Sequence, residues 1–582
     1  MKGREPFGYV VGIDGSKITL NLKDTHRGHF AAHRDGISAV TEINHLFGVE
    51  DGTRILVLKV ISLNFVEPKE VHKGISPKTR IEPEPLRQLN AVVVGYIERS
   101  QGVLKFIPDS LVSPALGAEA FPLSEEEISA IFSTTNPNFG IVLGYNPRSG
   151  MSIEIDLNFL LSKHVAVLGS TGHGKSCFTA SIIQQILKKF NNPRIVIFDI
   201  NGEFLEALVP YKQQESNLKY TEIGTNFKIP YYALGRYGLQ RLLLPSERTQ
   251  RPALNFALDH LPYVKWFPEK KGTGLVDDDS PCFFDDCRSD GAQDAWDKLQ
   301  ELRLRPEKKD VPAQEWPHFG ALACLVAESY SLEMTQNGVR RSDFRYGNIS
   351  PLINRIHRLI DDPLFNSVID INGGTYYESE IPLSWQKESQ FLIDYMFGKK
   401  ETEWKAHIIN LRKLPHDLMP FILGALLELY ASELFRRGQN NSYPTLLILE
   451  EAHHYFRQSD SEEYSSEYSA YERLAKEGRK FGLSLWVSTQ RPSELSPTVL
   501  SQCGTWIVFR LTSENDLKKV ASAGEWVERL ELNRIAGLPK QQAIVFGVGV
   551  PVPVRIITPD ANPIPRSEDP DFTEWNIPKE TP

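Results

Sequence analysis

Eight residues, Gly169-Ser170-Thr171-Gly172-His173-Gly174-Lys175-Ser176, meet every fixed position of the pattern G-x-x-x-x-G-K-[ST]. No other stretch of the chain restricts its possible folds as strongly. The pattern serves phosphate only when a strand leads into it and a helix leaves it, and both flanks are present. His164-Val165-Ala166-Val167-Leu168 is a short apolar run, the signature of a strand buried on both faces. Phe178, Ile182, Ile183, Ile186, Leu187 and Phe190 then recur at helical spacing until Asn191-Asn192-Pro193 ends the helix. Glycines let backbone amides close around phosphate oxygens, and the helix dipole adds to their pull. Lys175 is the phosphate cation, and the Ser176 hydroxyl is a ligand for Mg²⁺. The candidate nucleotide-binding set is Gly169, Ser170, Thr171, Gly172, His173, Gly174, Lys175, Ser176 and Cys177, and the implied ligands are ATP and Mg²⁺.

A chain of 582 residues is too long for a single core. Its 41% hydrophobic and 24% charged residues are ordinary for a globular protein. No signal peptide and no membrane span is read, and five scattered cysteines suit a reducing, cytoplasmic setting. Cys282 and Cys287 lie five apart without a second pair, so no zinc site is expected. The net charge of −9 requires any grip on nucleic acid to come from a local basic surface.

The expected fold class is α/β: a phosphate-loop ATPase core with a mainly parallel sheet, an N-terminal small β-barrel and a helical insertion. Residues 1–150 comprise the barrel and a linker. Tyr9 to Leu20 reads as a hairpin turning at Asp14-Gly15, and residues 55–58, 91–97 and 103–107 read as further strands, with a loop from Pro68 to Pro85. Residues 151–234 form the first half of the core and 235–400 a mostly helical insertion that includes an acidic loop at 277–290. Residues 401–558 form the second half, closed by strands at 543–546 and 552–557, and 559–582 a proline-rich tail.

Acids end two of the core strands. Asp199 closes Ile195 to Phe198, with Glu203 just beyond; each either faces the nucleotide or caps a turn. Thr445 to Leu449 runs into Glu450-Glu451, where Glu450 approaches Mg²⁺ and Glu451 polarises the attacking water. His453 and His454 lack an H-E-x-x-H context and are not expected to bind metal. Gln490 ends Leu483 to Thr489 as a sensor of the γ-phosphate or of the water. Arg473, Lys476 and Lys480 are read on one helical face, and the Lys476/Lys480 face and a loop from Lys212 to Lys219 are candidates for a pore surface.

Taken together, the phosphate loop, Asp199 with Gly202-Glu203-Phe204, Leu449 to His453, Glu477 to Gly482, Ser488 to Pro492 and Ser501-Gln502-Cys503 resemble the HerA family of hexameric DNA-translocating ATPases, within the group that includes the FtsK motors. The resemblance covers most of the chain outside 235–400. It implies a homo-hexamer with ATP at each interface and double-stranded DNA in a central pore. It also implies a partner effector: a NurA-like nuclease, or a sirtuin-like NADase or other nuclease in anti-phage defence. By the same resemblance Glu450, Glu451 and Gln490 are catalytic. Arg479 is a candidate arginine finger acting on the neighbouring subunit, and Lys163 a candidate second trans charge; each is otherwise a surface residue. The alternative is a ring scaffold that uses ATP to control a toxic effector with little translocation.

Overall fold

The computed structural model describes residues 5–23, 30–33, 36–39, 42–66, 86–100, 102–134, 136–211, 217–268, 272–275, 291–304, 315–375, 384–454, 456, 469–523 and 534–566. The proline-containing loop at 68–85, the acidic loop with Cys282 and Cys287, and residues 212–216 lie outside them. The chain divides into two compact units. One is 1–160 with 544–559, and the other is 161–543 with 560–582.

In the first unit, seven strands are β1 (Gly8–Asp14), β2 (Lys17–Leu22), β3 (Leu46–Asp51), β4 (Arg54–Val66), β5 (Leu86–Ser100), β6 (Val103–Pro108) and β7 (Glu119–Pro122). Their order is β2-β1-β7-β3-β4-β5-β6, and β2 also pairs with β5. Six antiparallel strands therefore close on themselves, which removes the free edges an open sheet would expose. Side chains at period two fill the interior: Ile18 and Leu20 from β2, Leu56, Leu58 and Val60 from β4, Leu89 and Ala91 from β5, with Phe7 edge-on to Phe47. Gly15-Ser16 makes the first turn, between the paired Asp14 and Lys17, with Gly15 at φ 57°. Strands β8 (Gly140–Tyr145) and β9 (Ser152–Asp156) form a hairpin in the same unit. Val554–Ile557 pairs with β8 through Ile557 and Tyr145, so this late segment folds with the N-terminal unit.

The second unit holds a parallel sheet. Its strands are β10 (His164–Leu168), β11 (Ile195–Asp199), β12 (Leu218–Glu222), β13 (Ala406–Asn410), β14 (Thr445–Leu449), β15 (Leu483–Thr489) and β16 (Cys503–Val508), in the order β16-β10-β15-β14-β11-β13-β12. Every neighbouring pair is parallel. All residues of β10, β11, β13, β14, β15 and β16 are buried, as in a parallel sheet covered on both faces. Helix α1 (Lys175–Lys189) follows β10 and buries Phe178, Ile182, Ile183 and Ile186. Helix α2 (Met419–Arg437) ends at Gly438, whose φ of 72° stops it.

The insertion joins β12 to its sheet neighbour β13. It contains helices Gly235–Leu243, Gln250–His260, Gly291–Leu304, Gly320–Ser331, Asp343–Asp361, Pro363–Val368 and Trp385–Phe397, with two short hairpins. The C-terminal segment, expected as an extended arm or tail, is tied to α1 in its described part: Gln184 donates to Pro563 O and accepts from Asn562 N, both at 2.9 Å. Among the described residues no helix is long and apolar enough to cross a membrane.

Candidate active site

The carboxyl ends of β10, β15 and β14 bring the site together. β15 lies between the other two, so its tip faces the phosphate loop on one side and the acids on the other. After β10, Gly169 passes close to Phe509; a Cβ there would lie 2.5 Å from the Phe509 Cβ. Ser170 N donates to Arg510 O at 2.8 Å and Gln541 N to His173 O at 3.1 Å, which anchors the loop at both ends. Gly174, at φ 104°, turns the chain into α1.

Lys175 folds over the loop and donates to Gly169 O at 2.8 Å and Ser170 O at 3.3 Å. Those carbonyls occupy its ammonium as phosphate oxygens would. Burial lowers its pKa, and the charges of Glu451, Glu450 and Glu203 oppose that shift. Ser176 sits half-buried in the first turn of α1. The Cys177 thiol is turned toward the C-terminal segment and accepts Ala561 N–H at 3.4 Å.

Glu450 is buried, and desolvation pushes its carboxyl up to about 8, with Glu451 adding to the shift and the Ser488 hydroxyl and Lys175 opposing it. Glu451 is also raised, chiefly by burial. Its backbone is left-handed at φ 45°, a conformation costing on the order of 1–3 kcal/mol and characteristic of functional turns. Gln490 donates Nε2–H to Glu451 Oε1 at 2.6 Å and its backbone N–H to Oε2 at 3.4 Å. The Gln490 amide oxygen accepts from the Thr171 hydroxyl. Phosphate loop, sensor and acid thus form one hydrogen-bonded chain.

The structure separates the other two acids. Asp199 spends both oxygens on backbone: Oδ1 accepts Gly202 N at 2.8 Å and Glu203 N at 3.0 Å, and Oδ2 accepts Phe204 N at 3.0 Å. Its bond to Phe204 N satisfies the first amide of the short helix Phe204–Leu208, whose N-cap position is Glu203. Glu203 is the member of the pair whose charge reaches Lys175, Glu450 and Glu451.

Arg479 and Lys163 lie at the opposite edge. Arg479 is exposed in a 3-10 turn (Gly478–Phe481) that precedes β15, and its charge acts on His164 at the amino end of β10. Lys163 is exposed immediately before β10 and crosses Gly504, where an added Cβ would meet its side chain at 2.6 Å. Neither is at the phosphate loop of its own chain. The expected basic face is divided. Helix α3 (Ser469–Glu477) ends before Gly478, so Lys480 leaves it, while Arg473 and Lys476 pair with Glu477 at 3.3 Å and Glu472 at 3.8 Å. Lys219 is no loop residue; it lies in β12, donates to Tyr395 O at 2.7 Å, and is lowered to about 8 by burial.

Sequence reasoning missed His453. Its Nδ1 lies 3.3 Å from Glu451 Oε2 and 3.0 Å from Thr489 Oγ1. A search for metal motifs discards this residue, and its position two places after the acid was the available signal. Among the described residues no group of three or more His, Cys, Asp or Glu side chains forms a metal cluster.

Residues 141–309 match the family described as the central domain of helicase HerA. The chain is 25% identical over 447 residues to the DNA double-strand break repair helicase HerA of Pyrococcus furiosus, covering 76% of this chain and 72% of that protein. It is 26% identical over 487 residues to the probable helicase MJECL08 of Methanocaldococcus jannaschii, covering 80% and 78%. Among solved structures, VirB4 of Thermoanaerobacter pseudethanolicus superposes with a TM-score of 0.46 at 14% identity, covering 74% of this chain and 98% of that one.

Proposed function

This chain belongs to the HerA helicase family, and from that premise we propose that it is an ATP-hydrolysing motor that moves on double-stranded DNA as a homo-hexamer. The observation that carries the reading is the convergence of Lys175, Gln490 and Glu451 across β15. The donor set fits a nucleotide with Mg²⁺. Lys175 already engages loop oxygens, and Ser176 and the buried Glu450 are hard oxygen donors beside it. Ser176 and Glu450 would hold Mg²⁺, which when bound neutralises charge on the phosphate oxygens.

The chain's own groups perform the rest. Loop amides and Lys175 bind and orient the phosphates. Glu451 accepts the proton of the attacking water at its carboxylate, a task helped by the raised pKa that burial gives it. Gln490 links that carboxylate to the loop. Arg479 and Lys163, placed away from their own loop, serve the site of the adjoining subunit. Binding closes the seam between two subunits and hydrolysis relaxes it.

The test is the mass of the purified protein and its ATP turnover with and without duplex DNA. A hexamer whose turnover rises on DNA supports the reading; a monomer at full turnover, or a hexamer indifferent to DNA, overturns it. The proposal extends to an effector, a nuclease or a sirtuin-like NADase in phage defence, on family resemblance alone. Co-purification with the product of a neighbouring gene tests that extension. Effector activity that follows nucleotide state without translocation would favour the scaffold instead.

A further inference from the structure

We propose that His453 is a positioning residue for ATP hydrolysis, holding the Glu451 carboxylate in the orientation from which it accepts the proton of water. The inference rests on the reading of Glu451 as the base. His453 lies in the 3-10 turn Ala452–His454 that follows β14, and its side chain is buried. Nδ1 faces Glu451 Oε2 at 3.3 Å and Thr489 Oγ1 at 3.0 Å. An ionised carboxylate oxygen only accepts hydrogen bonds, so the attractive arrangement has the ring proton on Nδ1, donated toward Oε2 and shared with Thr489. Thr489 Oγ1 also accepts Arg491 N–H at 3.1 Å, which fixes that hydroxyl at the tip of β15. The ring is held from its other side by His454, with centroids 4.2 Å apart.

Glu451 is therefore contacted from two elements. Gln490, just past β15, donates Nε2–H to Oε1 at 2.6 Å and its backbone N–H to Oε2 at 3.4 Å, and His453 Nδ1 approaches Oε2 at 3.3 Å from the turn after β14. The backbone of Glu451 is left-handed, at φ 45°. The Gln490 contact to Oε2 is long, and a reacting group must be kept within about 10–20° of its productive direction. A donor from a second element narrows the swing of that oxygen. A ring present only to fill space needs no donor aimed at a carboxylate, and a buried polar atom is costly unless it is paired.

The test compares H453N with H453Q in the full chain, measured as kcat and KM for ATP. The Asn amide places a donor near the position of Nδ1; the Gln amide places one near Nε2. We expect H453N to keep kcat within about threefold of the parent and H453Q to lose about tenfold or more, with KM nearly unchanged in both, as for a group that acts on the base and not on nucleotide binding. H453L gives a third reading, checked by its melting temperature. Equal kcat values for H453N and H453Q, or a loss confined to KM, overturn the inference. E451Q is measured in parallel. If E451Q turns over normally, the assignment of the base fails and this inference with it. If E451Q is inactive while H453Q matches the parent, His453 alone is excluded.

Discussion

Gln490 donates its amide N–H to Glu451 at 2.6 Å while its carbonyl oxygen takes the hydroxyl proton of Thr171, a residue of the phosphate loop. One side chain thus spans the gap between the nucleotide cradle and the hydrolytic acid. The span exists because β15 is inserted between β10 and β14. Replacing Glu451 by Gln is expected to lower kcat by on the order of 10²–10⁴ without weakening nucleotide binding. Q490A should lose about 10- to 100-fold, since a hydrogen bond to a charged group contributes about 1.5–3 kcal/mol. Steady-state turnover with a separate nucleotide-binding titration distinguishes the two losses.

Lys175 and Arg479 belong to opposite ends of the sheet, and mixing experiments exploit this. K175A is expected to abolish turnover while the protein keeps its assembled mass, because the lysine's contacts are with carbonyls of its own loop, Gly169 O and Ser170 O. R479A is expected to lose about 10³-fold, the effect of a missing arginine finger. A mixture of the two variants should recover part of the parent's turnover, since some seams then pair an intact lysine with an intact arginine. A mixture as inactive as its components would place Arg479 outside the site.

Gly169 has a steric reason to be glycine. An alanine Cβ would fall 2.5 Å from Phe509, itself buried and edge-on to Phe178 with centroids 6.0 Å apart. G169A is expected to cost about 1–3 kcal/mol through overpacking and to displace the loop that binds phosphate. Thermal melting reads the first effect and ATP binding the second.

Glu328, fully buried in the insertion, accepts Thr273 N–H at 3.0 Å, and burial raises its pKa to about 8. Its unfolded value is about 4.3, so the folded state retains a proton that the unfolded state has released between those limits. The stability due to this group is complete below about 4.3 and declines as pH rises through about 8. E328Q keeps an acceptor for Thr273 and carries no titration. It is expected to melt above the parent at pH 8.5 and to lose that advantage near pH 5. Parallel melting curves that keep the same gap at both pH values would count against a buried titrating carboxyl.

Much of the site was legible because short-range patterns carried it. The apolar run before Gly169, the helical spacing after Ser176 and the apolar strand ending in Glu450-Glu451 each identify an element and its chemistry within about ten residues. The choice between Asp199 and Glu203 was not legible, since a capping acid and a site acid look alike beside Gly202; only the three backbone donors on Asp199 decide it. The face shared by Arg473, Lys476 and Lys480 was overread. Helical spacing was extended across Gly478, where the helix ends.

By itself, the sequence determined the phosphate loop, the acids that end the strands, the alternating pattern of the core and the short antiparallel strands of the barrel. Local backbone geometry and apolar periodicity are sufficient for these, because each depends on neighbours along the chain. The tertiary structure decided which strand tips stand side by side. That order brings Thr171 to Gln490 across 319 positions and Gln490 to Glu451 across 39. Sheet order is set by how buried faces pack over the whole unit, and no local pattern records it.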